Sequence, residues 1–186
     1  MNMYKQTGLS LIEVMVAVLI SSILILGVTD LFSSAFMSGR SNSELTRVQE
    51  NGRLAMEIIG ADVRLSGLRS CTSDSWSEEP LADAVVLDGT QKSLTLSFSP
   101  KCDPDDIQSV TYTFTSSGLT QAKNGGTAQP LLDDVDGTFT LLPANSTPDT
   151  ANAVVIAVKV KSTQASFAAR DFSSTYEFKN RLIARD

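Results

Sequence analysis

The chain has 186 residues, of which 42% are hydrophobic and 19% are charged, so its composition is that of a folded protein. This length suits one ordinary domain with an appendage. The formal net charge of -6 disfavours nucleic acid as the main partner, because phosphate binding requires a basic surface. The sequence has no histidine, which excludes Ser-His and Cys-His nucleophiles and makes an enzyme less favoured, although carboxylate or lysine chemistry stays open.

The N-terminal part of the chain contains a long apolar segment. Residues 9–28 read LSLIEVMVAVLISSILILGV, which is apolar on every helical face and has Glu13 as its only charge. As a helix, about 20 residues span about 30 Å, the thickness of a bilayer core. The preceding residues 1–8 are polar and carry one cation, Lys5, so the positive-inside rule puts the N-terminus in the cytoplasm. We therefore predict a transmembrane helix over residues 9–36, with residues 37–186 on the outer side.

A cleaved secretory signal is the alternative interpretation of this segment, with Ser33-Ser34-Ala35 as its cleavage site. The apolar stretch exceeds the usual length of about 7–15 residues for such signals. A carboxylate in the bilayer also costs about 2.5–3.5 kcal/mol on insertion scales, so Glu13 indicates a partner and a function. The simpler explanation of Glu13 is a side chain that reaches the membrane surface.

The junction between the leader and the apolar segment resembles a known family. Residues 8–13 read GLSLIE, similar to the processing and assembly motif of type IV prepilins and pseudopilins. In order, that motif consists of a Gly, an apolar residue (most often Phe), a Thr or Ser, a Leu, a further apolar residue and a Glu. Leu9 departs mildly from the motif because Phe is the commonest residue at its position. The resemblance implies that residues 1–8 are a leader peptide, that a prepilin peptidase cuts between Gly8 and Leu9, and that the new amine of Leu9 is methylated. It also implies that Glu13 pairs with the Leu9 ammonium of a neighbouring subunit and fixes the axial register.

An amphipathic helix follows the apolar segment. Small and polar residues from 39 to 43 predict a flexible or partly melted stretch, after which helical periodicity resumes over 44–66 and stops near Gly67. We expect one face to be buried and the charged residues, Glu44 among them, to occupy the other faces. The predicted buried positions are Leu45, Val48, Gly52, Ala55, Met56, Ile59, Val63 and Ser66.

Part of this helix resembles a subgroup of the pilins. Residues 49–53 read QENGR, and they are followed by an apolar helix, an Asp62-x-Arg64 pair, the stop at Gly67 and a cysteine at 71. The PilW-type minor pilins carry this arrangement. The residues themselves require no more than surface ion pairs between Asp62 and Arg64 and between Arg53 and Glu57.

The rest of the chain has a strand-like pattern. Runs of strands after one helix predict an α+β fold, with an antiparallel β-sheet packed on the helix, which is also the pilin-like architecture that the resemblance implies. A hairpin turn is expected at 116–118, and a second turn or loop is expected at 124–126. The predicted strands are Ala84–Leu87, Ser93–Phe98, Val110–Thr115, Gly118–Ala122, Gly137–Leu142, Ala153–Lys161 and Ser174–Ile183.

The chain has two cysteines, Cys71 and Cys102. One pair is too small for a four-cysteine zinc site, and the spacing excludes a CxxC redox motif. In an oxidising compartment the pair predicts a disulfide that closes a loop of about thirty residues and contributes about 3 kcal/mol. Two free buried thiols are the alternative.

Two acidic clusters suggest calcium only weakly. Asp133, Asp134, Asp136 and Gly137 form a fragment of a calcium loop that lacks the downstream Glu, and Asp and Gly also favour turns. We therefore predict no metal and no cofactor. The other cluster consists of Asp103, Asp105 and Asp106.

The single tryptophan is Trp76. It is either a contact residue for a partner or a cap on the core.

The sequence as a whole predicts a structural minor pilin that takes part in type IV pilus assembly. Its expected partners are other minor pilins, the major pilin, the prepilin peptidase and the inner-membrane assembly platform. A minor pseudopilin of type II secretion is the first alternative. A tip adhesin or DNA-uptake module is the second, and for DNA the chain offers only a thin basic group near its end, formed by Arg170, Lys179, Arg181 and Arg185.

Overall fold

The computed structural model of the protein describes residues 10–69, 81, 83–101, 106–164 and 167–180. Within these ranges the chain forms one long helix, α1, and eight strands. The chain divides into two compact units, Met1–Ser43 and Glu44–Asp186. The elements are α1 Leu11–Leu65, β1 Val85–Leu87, β2 Ser93–Phe98, β3 Gln108–Phe114, β4 Gly118–Lys123, β5 Gln129–Asp133, β6 Val135–Leu142, β7 Ala153–Val160 and β8 Arg170–Glu177.

The described part of the first unit is helical from Leu11 onward. The carbonyl oxygen of Ser10 accepts bonds from the backbone N–H groups of Glu13 and Val14, which starts the helical ladder. The large apolar side chains from Leu11 to Met37 are 48–77% exposed. The helix is long and apolar enough to cross a membrane, with a mean hydropathy of 2.7 over its most apolar window. An apolar surface of this extent needs a membrane or a protein partner.

The expected interruption at residues 39–43 is wrong, because these residues are helical. A glycine within a helix costs only about 1 kcal/mol relative to alanine. No proline lies in this stretch, so the backbone hydrogen-bond ladder has nothing to break it.

In the second unit, α1 buries the predicted face. Val48, Ala55, Met56, Ile59 and Val63 are at most 9% exposed and belong to the hydrophobic core. The helix ends at Leu65, two residues before a glycine at position 67 with φ 76°, a left-handed conformation that favours glycine at a helix terminus.

The strands form two antiparallel sheets, which confirms the α+β class. The five-stranded sheet has the order β1-β2-β3-β4-β5 and the three-stranded sheet the order β6-β7-β8. The sequence predicted a single sheet. The chain leaves the first sheet at Asp134, the one residue between β5 and β6, whose φ of 59° is left-handed and ends the extended run.

Strand β5 is absent from the predicted set. Its second residue is Pro130, which argues against a strand when a sequence is read alone. β5 is an edge strand of its sheet, and an edge is the place where a proline without an N–H group is tolerated.

The predicted hairpin turn at 116–118 and the predicted turn at 124–126 are both confirmed. The backbone N–H of Thr115 donates to the Gly118 carbonyl at 2.8 Å between β3 and β4. Between β4 and β5, Asn124 and Gly125 have φ of 51° and 67°, the two left-handed conformations of a type I′ turn.

The two sheets share one core with the second half of α1. The rings of Phe114 in β3 and Phe139 in β6 lie 5.0 Å apart and join the sheets. A side-chain carbon at Gly137 would lie 2.6 Å from the Phe114 ring, so glycine makes this approach possible.

Several predicted site residues lie outside the described residues. They are Gly8 and Leu9 of the cleavage and methylation site, Cys71 and Cys102 of the disulfide, and Trp76. The predictions for these positions stay predictions.

Candidate functional site

Glu13 lies in the first turn of α1, on an otherwise apolar exposed surface. Its neighbours Leu11, Ile12 and Val14 are 77%, 67% and 48% exposed. A carboxylate at a helix N-terminus is favoured by the helix dipole. In an apolar environment, however, it also requires a cation or a hydrogen-bond donor. This carboxylate can therefore attract a positive group from outside the helix.

Small side chains form a shallow groove beside Glu13. The lining includes Ala17, Ser21 and Ser22 together with Val18 and Ile25. Ala17 and Ser21 are four residues apart, the spacing that allows a second helix to approach closely within a membrane. The Ser22 hydroxyl donates to the Leu19 carbonyl at 2.8 Å, so it adds no unsatisfied polar group to the apolar surface.

Glu44 is the first residue of the second unit and a fully paired buried carboxylate. Arg47 donates from Nε to Oε2 at 3.1 Å and from Nη2 to Oε1 at 2.9 Å. The Ser162 hydroxyl and the Thr163 backbone N–H also donate to Oε1, at 2.9 and 2.7 Å. The expectation of an exposed Glu44 is therefore wrong, because these four donors satisfy the buried charge.

These contacts make Glu44 an unusually strong acid. The Arg47 hydrogen bonds, followed by the Thr163 N–H, lower the pKa of Glu44 from 4.5 to about 2. Arg47 also contacts the Asp134 carboxylate at 3.5 Å and donates to the Lys161 carbonyl at 3.3 Å. The cluster thus joins the start of the helix in this unit to the β5–β6 junction and to the segment after β7.

Two glycines of α1 bring β8 against the helix. A side-chain carbon at Gly52 would lie 2.4 Å from the Phe172 ring, and one at Gly60 would lie 2.3 Å from the Tyr176 ring. The glycines are about 12 Å apart along a helix and the aromatic residues about 13 Å apart along a strand. The two elements therefore run in the same direction and are in register.

Asp62 does not form the predicted pair with Arg64. It accepts a hydrogen bond of 2.6 Å from the hydroxyl of Tyr112, a residue with no exposed surface, and Gln121 donates to the same hydroxyl at 2.9 Å. The Arg64 guanidinium lies 5.6 Å from the centre of the Tyr176 ring. Residues two apart on a helix point in different directions, which explains the separate partners. Burial, followed by the Asp62 hydrogen bond, raises the pKa of Tyr112, so its hydroxyl stays a donor.

Lysine and arginine side chains neutralise two members of the second acidic cluster. The Asp136 carboxylate lies 2.5 Å from Lys92 Nζ, and Asp134 pairs with Arg47 as described above. Lys92 and a backbone N–H hold the pKa of Asp136 below its ordinary value. Of the first cluster only Asp106 is described; it lies 3.5 Å from Lys101. In the described part of the chain no three acidic or cysteine side chains converge as metal ligands would.

The Glu44 cluster and the Gly60 contact are the features that sequence reasoning missed. Periodicity held a signal for Glu44, since it lies one helical turn before Val48 on the buried face. Its partners Ser162 and Thr163 lie more than one hundred residues later, with nothing in the sequence to link them to it.

One comparison with known proteins bears on the first unit. Residues 3–29 match the family model described as the prokaryotic N-terminal methylation motif. The match covers Gly8, Leu9 and Glu13 but not the second unit. The comparisons with curated proteins and with solved structures return no match. The motif supports a type IV pilin-like or pseudopilin-like protein, points to a structural protein rather than an enzyme, and fits anchoring in a membrane by the apolar helix.

Proposed function

We propose that the chain is a minor pilin of the PilW type that takes part in type IV pilus assembly. Residues 1–8 are its leader, residues 9–36 its membrane and assembly helix, and residues 37–186 its periplasmic domain. After cleavage by the prepilin peptidase and methylation of Leu9, the subunit is held in the inner membrane. It then assembles with other minor pilins and the major pilin. The assembly platform in the inner membrane drives this step.

The observation that carries the proposal is an exposed apolar helix with one carboxylate in its first turn. The side chains around Glu13 are more than half exposed at Leu11 and Ile12, and they lie within the matched methylation motif. A membrane covers such a surface before assembly, and neighbouring helices cover it afterwards. Glu13 gives the apolar bundle its polar contact.

The chemistry of this contact follows from its surroundings. In a bundle of apolar helices an unpaired carboxylate is strongly unfavourable, and the ammonium of a neighbouring subunit's Leu9 neutralises it. Secondary and primary ammonium groups both keep their charge and at least two N–H donors, so methylation of Leu9 preserves the pairing. Because one such pair forms per neighbour, it fixes how far one subunit is displaced along the filament relative to the next.

The QENGR stretch, on whose resemblance the PilW-type assignment rests, includes a glycine that packs against β8. Gly52 belongs to the QENGR stretch, and its lack of a side chain admits the Phe172 ring. In this chain the stretch therefore contributes to the packing of α1 on the last described strand, β8. Its charged members, Glu50 and Arg53, are exposed.

The proposal is tested by Glu13→Ala, with Glu50→Ala as the matched control, because Glu50 is an exposed carboxylate on the same helix. We expect Glu13→Ala to insert into the membrane at the normal level and to be at least about tenfold depleted from sheared filaments, since the bundle loses its ion pair. The measurement is an immunoblot of membrane and filament fractions. Normal incorporation of Glu13→Ala would refute the pairing.

We also propose a disulfide between Cys71 and Cys102. What supports it is the arrangement just before each cysteine: Arg69 and Ser99 form a parallel bridge, and the Ser99 N–H donates to the Leu68 carbonyl at 2.8 Å. Parallel-bridged chains run side by side about 5 Å apart, a separation that suits a disulfide.

Alkylation tests the disulfide. The unreduced, unfolded protein should take up no alkylating reagent, and the reduced protein should take up two equivalents, because the chain has two cysteines. The measurement is the mass of the intact protein. Two labelled thiols without reduction, in protein recovered from the periplasmic side, would support the alternative of free thiols.

A further inference from the structure

In the part of the chain that the structure describes, the two sheets have four edge strands, and three of these are protected. β1 has only three residues, β5 contains Pro130, and the pairing of β5 with β4 shifts register between Leu119 and Thr120. At the edge of β6, the backbone N–H of Phe139 donates to the Gln91 carbonyl at 2.8 Å. Short strands, prolines, bulges and covering loops all prevent a sheet edge from pairing with another chain.

The fourth edge strand, β8, has none of these protections among the described residues. All eight of its residues pair with β7 in an unbroken register, and none of them is a proline. The described residues add no strand on its other side. Its charged residues lie at its two ends, with Arg170 and Asp171 at one and Glu177 at the other, so no charge interrupts the middle of the strand.

Backbone groups of alternate residues point outward from this edge. The Phe178 N–H donates to the Asn152 carbonyl at 2.9 Å, so in the antiparallel pairing with β7 the even-numbered residues of β8 form the ladder bonds. The N–H and C=O groups of the odd-numbered residues therefore point away from β7. Outside the β7–β8 ladder, no backbone group of the described residues bonds to them. These outward-pointing residues are Asp171, Ser173, Thr175 and Glu177, and all four are exposed.

We propose that an extended segment of another pilin pairs with the open edge of β8 and adds a further strand to the three-stranded sheet. Addition of a strand to an open edge is a general mode of recognition, in which backbone hydrogen bonds supply affinity and alternate side chains supply specificity. The choice of another pilin as partner rests on the proposed function, whereas the open edge follows from the sheet itself.

The exposed side chains of β8 define the chemistry of the partner segment. Ser173 and Thr175 occupy the middle of the strand, where hydroxyl or β-branched side chains are suitable cross-strand neighbours. The Asp171 carboxylate lies 3.7 Å from Lys159 Nζ, whereas Glu177 takes part in no ion pair within the described ranges. A lysine or arginine of the incoming segment would therefore face Glu177.

The same side chains disfavour a second copy of this chain as the partner. In an antiparallel pair of two β8 strands, the register that pairs all four outward-pointing residues places Asp171 opposite Glu177 at both ends. Like charges directly opposite each other are destabilising. The edge therefore suits a different chain, as the proposed function requires.

Hydrogen–deuterium exchange of the full-length protein in detergent tests whether the edge is open. The amides of the four outward-pointing residues should exchange at least about tenfold faster than those of Phe172, Ser174 and Tyr176, because only the latter bond to β7. The measurement is residue-resolved NMR. Slow exchange at both sets of amides would mean that another segment of this chain covers the edge, and would overturn the proposal.

Ser173→Pro tests the pairing during assembly, with Ser173→Ala as the matched control. Proline removes an N–H that points to the open edge and leaves the bonds to β7, so the fold tolerates it. We expect Ser173→Pro to keep its membrane level and its Tm to within a few degrees, and to co-purify other pilins at most about a tenth as well as wild type. Ser173→Ala should co-purify them normally. Normal association of a folded Ser173→Pro would overturn the proposal.

Thr175→Lys keeps the proposal testable if the proline variant does not fold. A lysine on an edge strand blocks pairing with another strand. Thr140→Lys is the control, because Thr140 is exposed on β6 of the same sheet. An about tenfold loss of co-purified pilins for Thr175→Lys but not for Thr140→Lys supports the pairing, and equal association of the two variants overturns it.

Photo-cross-linking identifies the occupant of the edge. With benzoylphenylalanine at position 175, we expect a cross-link to another chain that carries the methylation motif, and with benzoylphenylalanine at position 140 we expect none. A cross-link to a second copy alone would overturn the choice of partner. If wild-type protein associates with no pilin, the proposed function and the partner fall together. If it associates and a folded Ser173→Pro associates equally well, only this inference is wrong.

Discussion

At the scale of single residues, two glutamates of α1 have opposite surroundings. Glu13 lies on an exposed apolar surface, whereas Glu44 is 7% exposed and accepts hydrogen bonds from three residues. The first carboxylate needs a partner from outside the chain, and the second has its partners already. We therefore expect the proposed assembly contact to depend on Glu13 and the stability of the second unit to depend on Glu44.

The depressed pKa of Glu44 predicts a specific dependence of stability on pH. Its pKa of about 2 in the folded state lies below its ordinary 4.5, so the contribution is present above about pH 4.5 and is lost as pH falls toward 2. Glu44→Gln should lower the Tm by a few degrees at pH 7, because the charge-assisted bonds to Arg47 are lost. The difference between wild type and variant should shrink as pH falls through this window.

Near-UV circular dichroism of the full-length protein in detergent measures this effect. Glu50→Gln is the control, since Glu50 is exposed on the same helix and should leave the pH profile unchanged. A Tm difference for Glu44→Gln that stays constant from pH 7 to pH 2 would contradict the assigned role.

At the scale of elements, the contact between α1 and β8 depends on glycine. A side-chain carbon at Gly60 would lie 2.3 Å from the Tyr176 ring, whose hydroxyl donates to the Met56 carbonyl at 3.0 Å. Gly60→Ala should therefore destabilise the second unit by about 1–3 kcal/mol through overpacking, although alanine is the better helix former. Denaturant unfolding followed by fluorescence or circular dichroism measures this change.

Gly39→Ala is the matched control for this prediction. Nothing lies within 4 Å of a side-chain carbon at Gly39, which is also within α1, so the unfolding midpoint of the second unit should not fall. Tyr176→Leu should recover part of the loss when combined with Gly60→Ala, because the smaller side chain can move aside. If Gly60→Ala is as stable as wild type, the close approach of the Tyr176 ring to Gly60 does not contribute to stability, and the prediction is wrong.

Elements with a strong local signal were predictable, and those set by distant contacts were not. Strand β2 has the predicted limits, and the turns at Gly118 and Asn124 follow from residues that favour left-handed or tight backbone. Strand β5 was not predicted because a proline such as Pro130 is tolerated mainly in an edge strand. The sequence alone does not reveal which strand lies at the edge of a sheet. The division into two sheets likewise depends on the conformation of one residue, Asp134.

At the scale of the whole molecule, the sequence predicted the α+β class, whereas the processing and assembly residues stay predictions. Residues 8–13 and the apolar run that follows resemble a processing and assembly signal in adjacent positions, and the methylation motif matches over 3–29. The contacts that hold the second unit together join α1 to residues far along the chain: Tyr112 lies 50 positions after its partner Asp62, and Thr163 lies 119 positions after Glu44. Such contacts follow from the tertiary fold and leave no local pattern.

The most direct test of the central claim is the mass of the mature N-terminal peptide. Mass spectrometry of the protein isolated from membranes should find a chain that begins at Leu9 and carries one methyl group on its amine. Cleavage after Ala35 would make the apolar helix a discarded signal and would contradict the assembly role of Glu13. A chain that still begins at Met1 in assembled filaments would contradict it equally.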